Sequence, residues 1–335
     1  MKKFTTLFLL LFVVLTTVSI DAEAQRFTKR KEYATLGIQL GASNYFGDLV
    51  PQPDFTSMRL KSTRPSIGIN YTYRHFPRIS SRVSFNWNRI SGDDGLAAGP
   101  DEGENAGRWL RNLSFRNDIK ELSAVAIIDL FENRNYYRRR PDFVPYGFIG
   151  IAAFHHNPKA YYENGSHPGL SGGNDIPTGW YELQPLGTEG QYVDQPGTVS
   201  SPYKRVQIAI PFGLGVRYKL DRNWDFSFEM GWRATFTDYL DDVSTAHVDK
   251  DVLLSDNNRS ENRNASVIFS DRSAESGVTN IYPLVREPNG YSRLQPYGTS
   301  NNRTRGNSSD NDWYIQTSLG LNYILNPRVR RPKFR

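Results

Sequence analysis

Residues 206–236 read VQIAIPFGLGVRYKLDRNWDFSFEMGWRATF, and the character of their side chains alternates with a period of two. Val206, Ile208, Ile210, Phe212, Leu214, Val216, Tyr218 and Leu220 share one face, while Gln207, Gly213, Gly215, Arg217 and Lys219 share the other. After Asp221-Arg222-Asn223 the rhythm resumes, with Trp224, Phe226, Phe228, Met230, Trp232 and Phe236 opposite Asp225, Ser227, Glu229, Arg233 and Thr235. Successive strand side chains point to opposite sides, so the stretch predicts a β-hairpin with one apolar and one polar face. Each arm is longer than the ~9–11 residues a tilted strand needs to cross a bilayer. Pro211 has no N–H to give, so a bulge or a gap in the ladder is expected beside it.

Working outward, the same period marks 33–42, 66–76, 79–90, 144–155 and 313–325. On the last, Trp313, Ile315, Thr317, Leu319, Leu321, Tyr323 and Leu325 oppose Tyr314, Gln316, Ser318, Gly320 and Asn322. Over 113–131, Leu122, Ala124, Ala126, Ile128 and Leu130 oppose Glu121, Ser123 and Asp129, but Val125 and Ile127 interrupt the polar side. A strand and a buried helix both fit that segment by period alone. Counting it as a strand gives eight.

The connections alternate in length. Segments 43–65, 91–112, 156–204 and 237–311 are long and rich in Gly, Pro, Asn, Asp and Ser, whereas 77–78, 132–143 and 221–223 are short or moderate. Outer-membrane barrels combine an even strand count with short periplasmic turns and long extracellular loops. The expectation is therefore an all-β, eight-stranded antiparallel transmembrane β-barrel with long extracellular loops. A soluble β-sandwich or a lipocalin-like barrel would share the alternation, but gives no reason for every long loop to lie at one end. Tyr71, Tyr73, Phe76, Tyr218 and Trp224 fall near the predicted periplasmic strand ends, and Trp313 and Phe236 near the opposite rim, as interfacial girdles require.

The N-terminus fits export. Met1-Lys2-Lys3, an apolar run from Leu7 to Val18 and Ala22-Glu23-Ala24 have the order of a cleaved signal peptide, placed at 1–24 and followed by a barrel domain at 25–335. The mean hydropathy of -0.58 agrees with a barrel that shows only alternate residues to lipid and carries polar loops. There is no cysteine, which excludes disulfides and thiolate metal sites. The net charge of +6 comes without a Lys/Arg stripe interleaved with stacking aromatics, so nucleic acid is not an expected partner.

An eight-stranded barrel has room for little but its own side chains. Arg82, Glu121, Arg217, Glu229 and Arg233 project inward on this register and are expected to form an ion-pair network that plugs the interior. The five histidines, His75, His155, His156, His167 and His247, lie in no recognisable hydrolase or zinc motif, so neither an enzyme nor a cofactor is expected. Asp238, Asp241, Asp242, Asp249 and Asp251 lack calcium-loop spacing and read as a solvated acidic loop, with no metal. Basic residues gather on the predicted periplasmic side: Arg26, Lys29, Arg30 and Lys31, then Arg134, Arg138, Arg139 and Arg140, then Arg328, Arg330, Arg331, Lys333 and Arg335. Such a ring could meet anionic headgroups or dock a periplasmic partner by charge complementarity.

GASNYFGDL at 41–49, TFTDYLDDVS at 235–244 and FRNDIKELS at 115–123 resemble segments of the PorG-like outer-membrane barrels of Bacteroidota. That resemblance implies a non-enzymatic structural or interaction component of the type IX protein secretion system, linked in some species with gliding motility. It also implies a periplasmic ring partner of PorK and PorN type. The motif residues Tyr45, Gly47, Asp48, Leu49, Asp238, Tyr239, Asp241 and Asp242 open extracellular loops and are expected to fold them over the barrel mouth through turns and local side-chain to backbone bonds. Outer-membrane lipid is the other expected partner. The reading from another class is a small ligand-binding or transport barrel. The chain ends in Pro332-Lys333-Phe334-Arg335, so the last strand should stop near Leu325 with a basic tail after it.

Overall fold

A computed structural model describes residues 31–49, 60–97, 106–170, 174–194, 199, 201–276, 283–295 and 304–325. The predicted signal peptide and the C-terminal Arg328, Arg330 and Arg331 lie outside the described residues.

All eight expected strands are present: β1 (Tyr33–Phe46), β2 (Arg64–Arg74), β3 (Ile79–Asp93), β4 (Ser114–Asp129), β5 (Phe143–His155), β8 (Val206–Lys219), β9 (Trp224–Thr235) and β12 (Trp313–Leu325). Every neighbouring pair is antiparallel, each strand pairs with the next, and the ring closes through β1 with β12. Closure leaves the eight without an edge, so each strand spends its N–H and C=O groups on two partners. Segment 113–131 is a strand, because the pairings on both of its sides capture its backbone. The ladder between β5 and β8 is interrupted where Ile149 pairs Phe212 and the next pair is Ala152 with Ala209. The missing rungs lie opposite Ile210 and Pro211, as the absent N–H requires.

Four small strands lie outside the ring. β6 (Pro158–Tyr162) continues on the top of β4 and pairs β7 (Gly179–Glu182), while β10 (Leu284–Arg286) pairs β11 (Ser292–Leu294) in a separate ribbon. With the helices Ala106–Arg111, Lys250–Leu254 and Arg263–Ser270 they build an ordered cap at the long-loop end. No helix among the described residues is long and apolar enough to cross a membrane.

The main apolar core lies inside the upper barrel and the cap. Ile90, Phe115, Ile119 and Tyr314 from the strands pack with Leu240, Val267, Ile268 and Phe269 from the loop after β9. The outer wall is the reverse of a soluble surface: Leu40, Ile69, Leu122, Ile151, Val206 and Leu214 all point out, and Ile151 is 68% exposed. On β3 this belt runs from Ile79 to Trp87, and polar residues begin above it at Arg89. The belt spans nine residues of β3, with Ile79, Val83, Phe85 and Trp87 as its outward apolar side chains, the length a tilted strand uses to cross hydrocarbon.

Candidate functional site

The inward faces carry the polar residues, and they pair with one another. Arg82 donates to Glu229, which also accepts from the Tyr146 hydroxyl and, at 3.5 Å, from Gln39 Nε2. Arg233 lies 3.3 Å from Glu121, which accepts from Tyr314 at 2.6 Å and from Asn86 at 3.0 Å. Arg217 meets Asp129 at 2.7 Å, and Arg74 reaches the same carboxylate at 3.5 Å. Each of the five lumen residues thus contacts an opposite charge; Asp129 and Arg74 complete a third group of pairs. Between the groups lies a cavity of about 10 Å³, lined by Arg82, Glu229, Arg233 and Gln316 among others, space for about one water.

On β5 the residues Tyr146, Phe148, Ala152 and Phe154 share one face, and that face is the lumen. Tyr146, Phe148 and Phe154 point into the lumen, and Phe143, Ile149 and Ile151 face out. Both faces of β5 are apolar, so the period could not say which was which. The inward aromatics have polar duties: Tyr146 donates to Glu229, and the Phe148 ring lies 5.1 Å from the Arg82 guanidinium.

At the short-turn end a second plug closes the barrel. Arg140 was expected among exposed docking residues; it is instead 5% exposed. Its guanidinium meets Asp225 at 2.7 Å and donates to the carbonyls of Tyr137, Asp221, Arg222 and Trp224 at 2.7–3.0 Å. The planar fork, with five donors, satisfies the inward carbonyls of the adjacent turn, so Arg140 cannot also face a partner. Arg134, Arg138 and Arg139 are exposed around it. Sequence reasoning missed Arg78 and Arg222, which are exposed in the two hairpin turns of the same rim. The signal was there: each is the basic residue of a short turn.

At the opposite end, the motif residues hold the cap. The Tyr45 hydroxyl is 2.7 Å from both Asp241 and Asp312. A phenol has one hydrogen, so this triad needs a further proton, and burial with neighbouring carboxylates holds both aspartates well above the usual carboxylate range. Gly47 permits the approach, since a Cβ there would lie 1.8 Å from Asp312 Oδ1 and 2.0 Å from the Tyr45 oxygen. Asp48 accepts from Asn307 N at 2.9 Å, Leu49 is buried in the core, and the Tyr239 ring stacks on Tyr203 at 4.7 Å. Asp242, at φ 68°, accepts from Thr188 and from Tyr203 at 2.7 Å. Local turn bonds are also present, as from Val243 N to Asp241 at 2.9 Å.

The expectation of a solvated acidic loop is corrected for Asp241 and Asp242, which are 1% and 0% exposed. What makes their burial tolerable is a set of charges the sequence did not single out. Arg305, 2% exposed, lies 2.9 Å from Glu189 and 3.7 Å from Asp242, and donates to the carbonyls of Phe269 and Ser270. Arg111 meets Asp94 through two nitrogens at 2.8 Å and donates to the Asp48 carbonyl at 2.9 Å. Lys250, 1% exposed, pairs with Asp271 at 3.0 Å.

Burial raises Asp238 to about 8 and Asp242 to about 6. A carboxyl whose folded value exceeds its unfolded value stabilises the fold while protonated, and that contribution is lost as pH rises through the folded value. The cap is therefore expected to loosen between about pH 4 and pH 8, the interval from a free aspartate to Asp238. Hydrogen exchange of the 237–276 amides, corrected for intrinsic rate, should show less protection at pH 8.5 than at pH 5. Asp238→Asn should flatten the upper part of that dependence, because the amide stays neutral across the interval; an unchanged slope would count against Asp238 as its source.

Among the described residues no group of three or more His, Asp or Glu side chains is placed to hold a metal ion. His156 stacks on Tyr203 and meets the Lys204 carbonyl at 3.2 Å, and burial lowers it to about 4. It is a neutral packing group.

The fold and these plugs define a class: a closed, charge-filled β-barrel with an apolar exterior and an ordered cap. A protein family described as a domain of unknown function (DUF6089) matches residues 5–170. No curated protein matches the sequence. Similar solved structures include Ail, the attachment invasion locus protein of Yersinia pestis, at 7% identity, 88% of this chain, 99% of that chain and TM-score 0.33. Neisserial surface protein A is similar at 10% identity, 87%, 96% and TM-score 0.34. The outer membrane protein OprG of Pseudomonas aeruginosa is similar at 8% identity, 88%, 96% and TM-score 0.33.

Proposed function

We propose that this chain is a non-catalytic outer-membrane barrel, a fixed anchor and interaction component of a type IX protein secretion machine. Its short turns face the periplasm and its cap faces outward. The observation that carries the reading is the combination of a sealed lumen with an exposed basic rim. Buried ion pairs at three levels and a cavity of about 10 Å³ leave no conduit, which argues against transport. Arg78, Arg134, Arg138, Arg139 and Arg222 surround the periplasmic mouth, where Glu132, Asp142 and Asp221 are the exposed acids among the described residues. A surface of that sign suits an acidic face of a periplasmic ring of PorK and PorN type, and the motifs at 41–49 and 235–244 supply the link to that machine.

The test joins two measurements. In planar bilayers the purified chain is expected to pass no ohmic current. From detergent-solubilised membranes a ring protein should co-purify, and the Arg134→Glu/Arg138→Glu/Arg139→Glu variant should lose it, with recovery falling about tenfold if charge pairing contributes ~1.4 kcal/mol. Steady conductance, or undiminished recovery by the charge-reversed variant, would sink the proposal.

A further inference from the structure

We infer that the outer wall carries a binding site for the phosphate of a lipid headgroup, in a cleft just above the apolar belt on the cap side. The inference rests on the membrane-embedded reading of the barrel and not on the ring partner.

The cleft lies between the wall and the β6–β7 hairpin, which leans out from the top of β4. Its volume is about 450 Å³, the size of a small-molecule site, and its lining includes Arg64, Arg89, Arg116, Tyr161 and Trp180. The register fixes its depth. Trp87 pairs with Lys120 at the upper limit of the belt, Arg89 with Asp118 two residues higher, and Ser91 with Arg116 two higher again. At ~3.4 Å per residue along a strand tilted by about 40°, the backbone positions of Arg89 and Arg116 lie roughly 5–10 Å above the last lipid-facing aromatic, within a side chain's reach of the headgroups.

The three arginines differ in how far their charge is met. Arg89 is held by Asp118 through two bonds, at 2.6 and 3.0 Å. Among the described residues Arg64 donates to the carbonyls of Lys61 and Thr63, at 3.0 and 3.1 Å, and to no carboxylate. Arg116 lies in no ion pair among the described residues; its guanidinium rests on the Trp180 ring, 3.9 Å from the centroid, and its buried Nε finds no acceptor there. Asp93, the acid lining the cleft, accepts from Gly95 N at 2.8 Å. A guanidinium oriented by an indole face and lacking a carboxylate is prepared for a planar, two-point bond to an oxyanion. Trp180, 48% exposed, and Tyr161, 43% exposed, stand beside it as apolar walls for the rest of a headgroup. Phosphate is the anion that the adjacent leaflet presents at this depth, which commits the site to an amphiphile over a dissolved ion.

The experiment uses the full chain in detergent and native mass spectrometry with monophosphoryl lipid A as the probe. Wild-type protein should retain the lipid, and both the Arg64→Ala/Arg116→Ala variant and the dephosphorylated probe should lower occupancy about tenfold. Arg116→Lys should bind less than wild type but more than Arg116→Ala, because it keeps the charge and loses the fork. Equal occupancy in the double variant overturns the site, and displacement of the lipid by equimolar inorganic phosphate overturns its assignment to a lipid. Vesicle flotation and heat-shifted gel migration separate the two readings. A variant that floats and folds but drops the lipid supports the site, whereas wild-type protein that fails to float defeats the membrane reading beneath it.

Discussion

Glu229→Ala is expected to destabilise the barrel by about 3–5 kcal/mol, the usual consequence of removing one partner from a buried ion pair. Glu229 is 5% exposed and accepts from Arg82, Tyr146 and Gln39 in the middle of the lumen. Without it, Arg82 is a cation at 8% exposure with no other ion-pair partner among the described residues, and the Tyr146 hydroxyl loses its acceptor. Urea titration in micelles, followed by tryptophan fluorescence, measures the loss. The loss reflects stranded charge more than any large attraction between the pair. Replacing the whole group, Arg82→Met with Glu229→Leu and Tyr146→Phe, should therefore restore most of the stability, since apolar side chains of similar volume often match a buried pair. A Glu229→Ala barrel within ~1 kcal/mol of wild type would show that water reaches Arg82 and that the lumen is not sealed.

The strands were legible because lipid and lumen impose opposite solvents on alternate residues, but β1 and β3 run past the expected 42 and 90 to Phe46 and Asp93, so Tyr45 lies within β1 and not in the loop after it. From Ile67 to Tyr73 or from Val206 to Tyr218, each residue type reports its own side of the wall. β5 was ambiguous for the converse reason: Phe148 and Ile149 are both apolar, yet one lies on Arg82 and the other faces out. The cap was hidden for a different reason. Arg305 and Glu189 meet across 116 positions of sequence, and Tyr45 and Asp312 across 267. No period or spacing records contacts of that range. The aspartates after β9 looked solvated because charge run and burial are indistinguishable until the countercharges are located. Arg140 was misread alongside Arg138 and Arg139 because adjacency in sequence says nothing of which side chain turns into the mouth.

Arg305→Ala should have an effect as large, about 3–5 kcal/mol, but confined to the cap. The side chain touches Glu189, Asp242 and the carbonyls of Phe269 and Ser270, all in the loops. Its loss strands two carboxylates, each fully buried, beside one another. Local opening is the cheaper response than unfolding the ring, whose ladder bonds do not involve Arg305. Limited proteolysis should then cut within 237–312 many times faster than in wild type, while the heat-shifted gel migration of the barrel stays unchanged. Arg305→Lys should rescue only in part, as one ammonium cannot span both carboxylates and the carbonyls. Acid should rescue more. Asp242 already titrates near 6 with Arg305 in place, and removing that cation pushes it higher, so by pH 5 the carboxyl is neutral. The cleavage rates of Arg305→Ala and wild type should accordingly converge as pH falls from 8 to 5. A gap that stays constant across that range would mean the guanidinium acts through its carbonyl bonds alone and that the carboxylates contribute nothing to the cap's dependence on it.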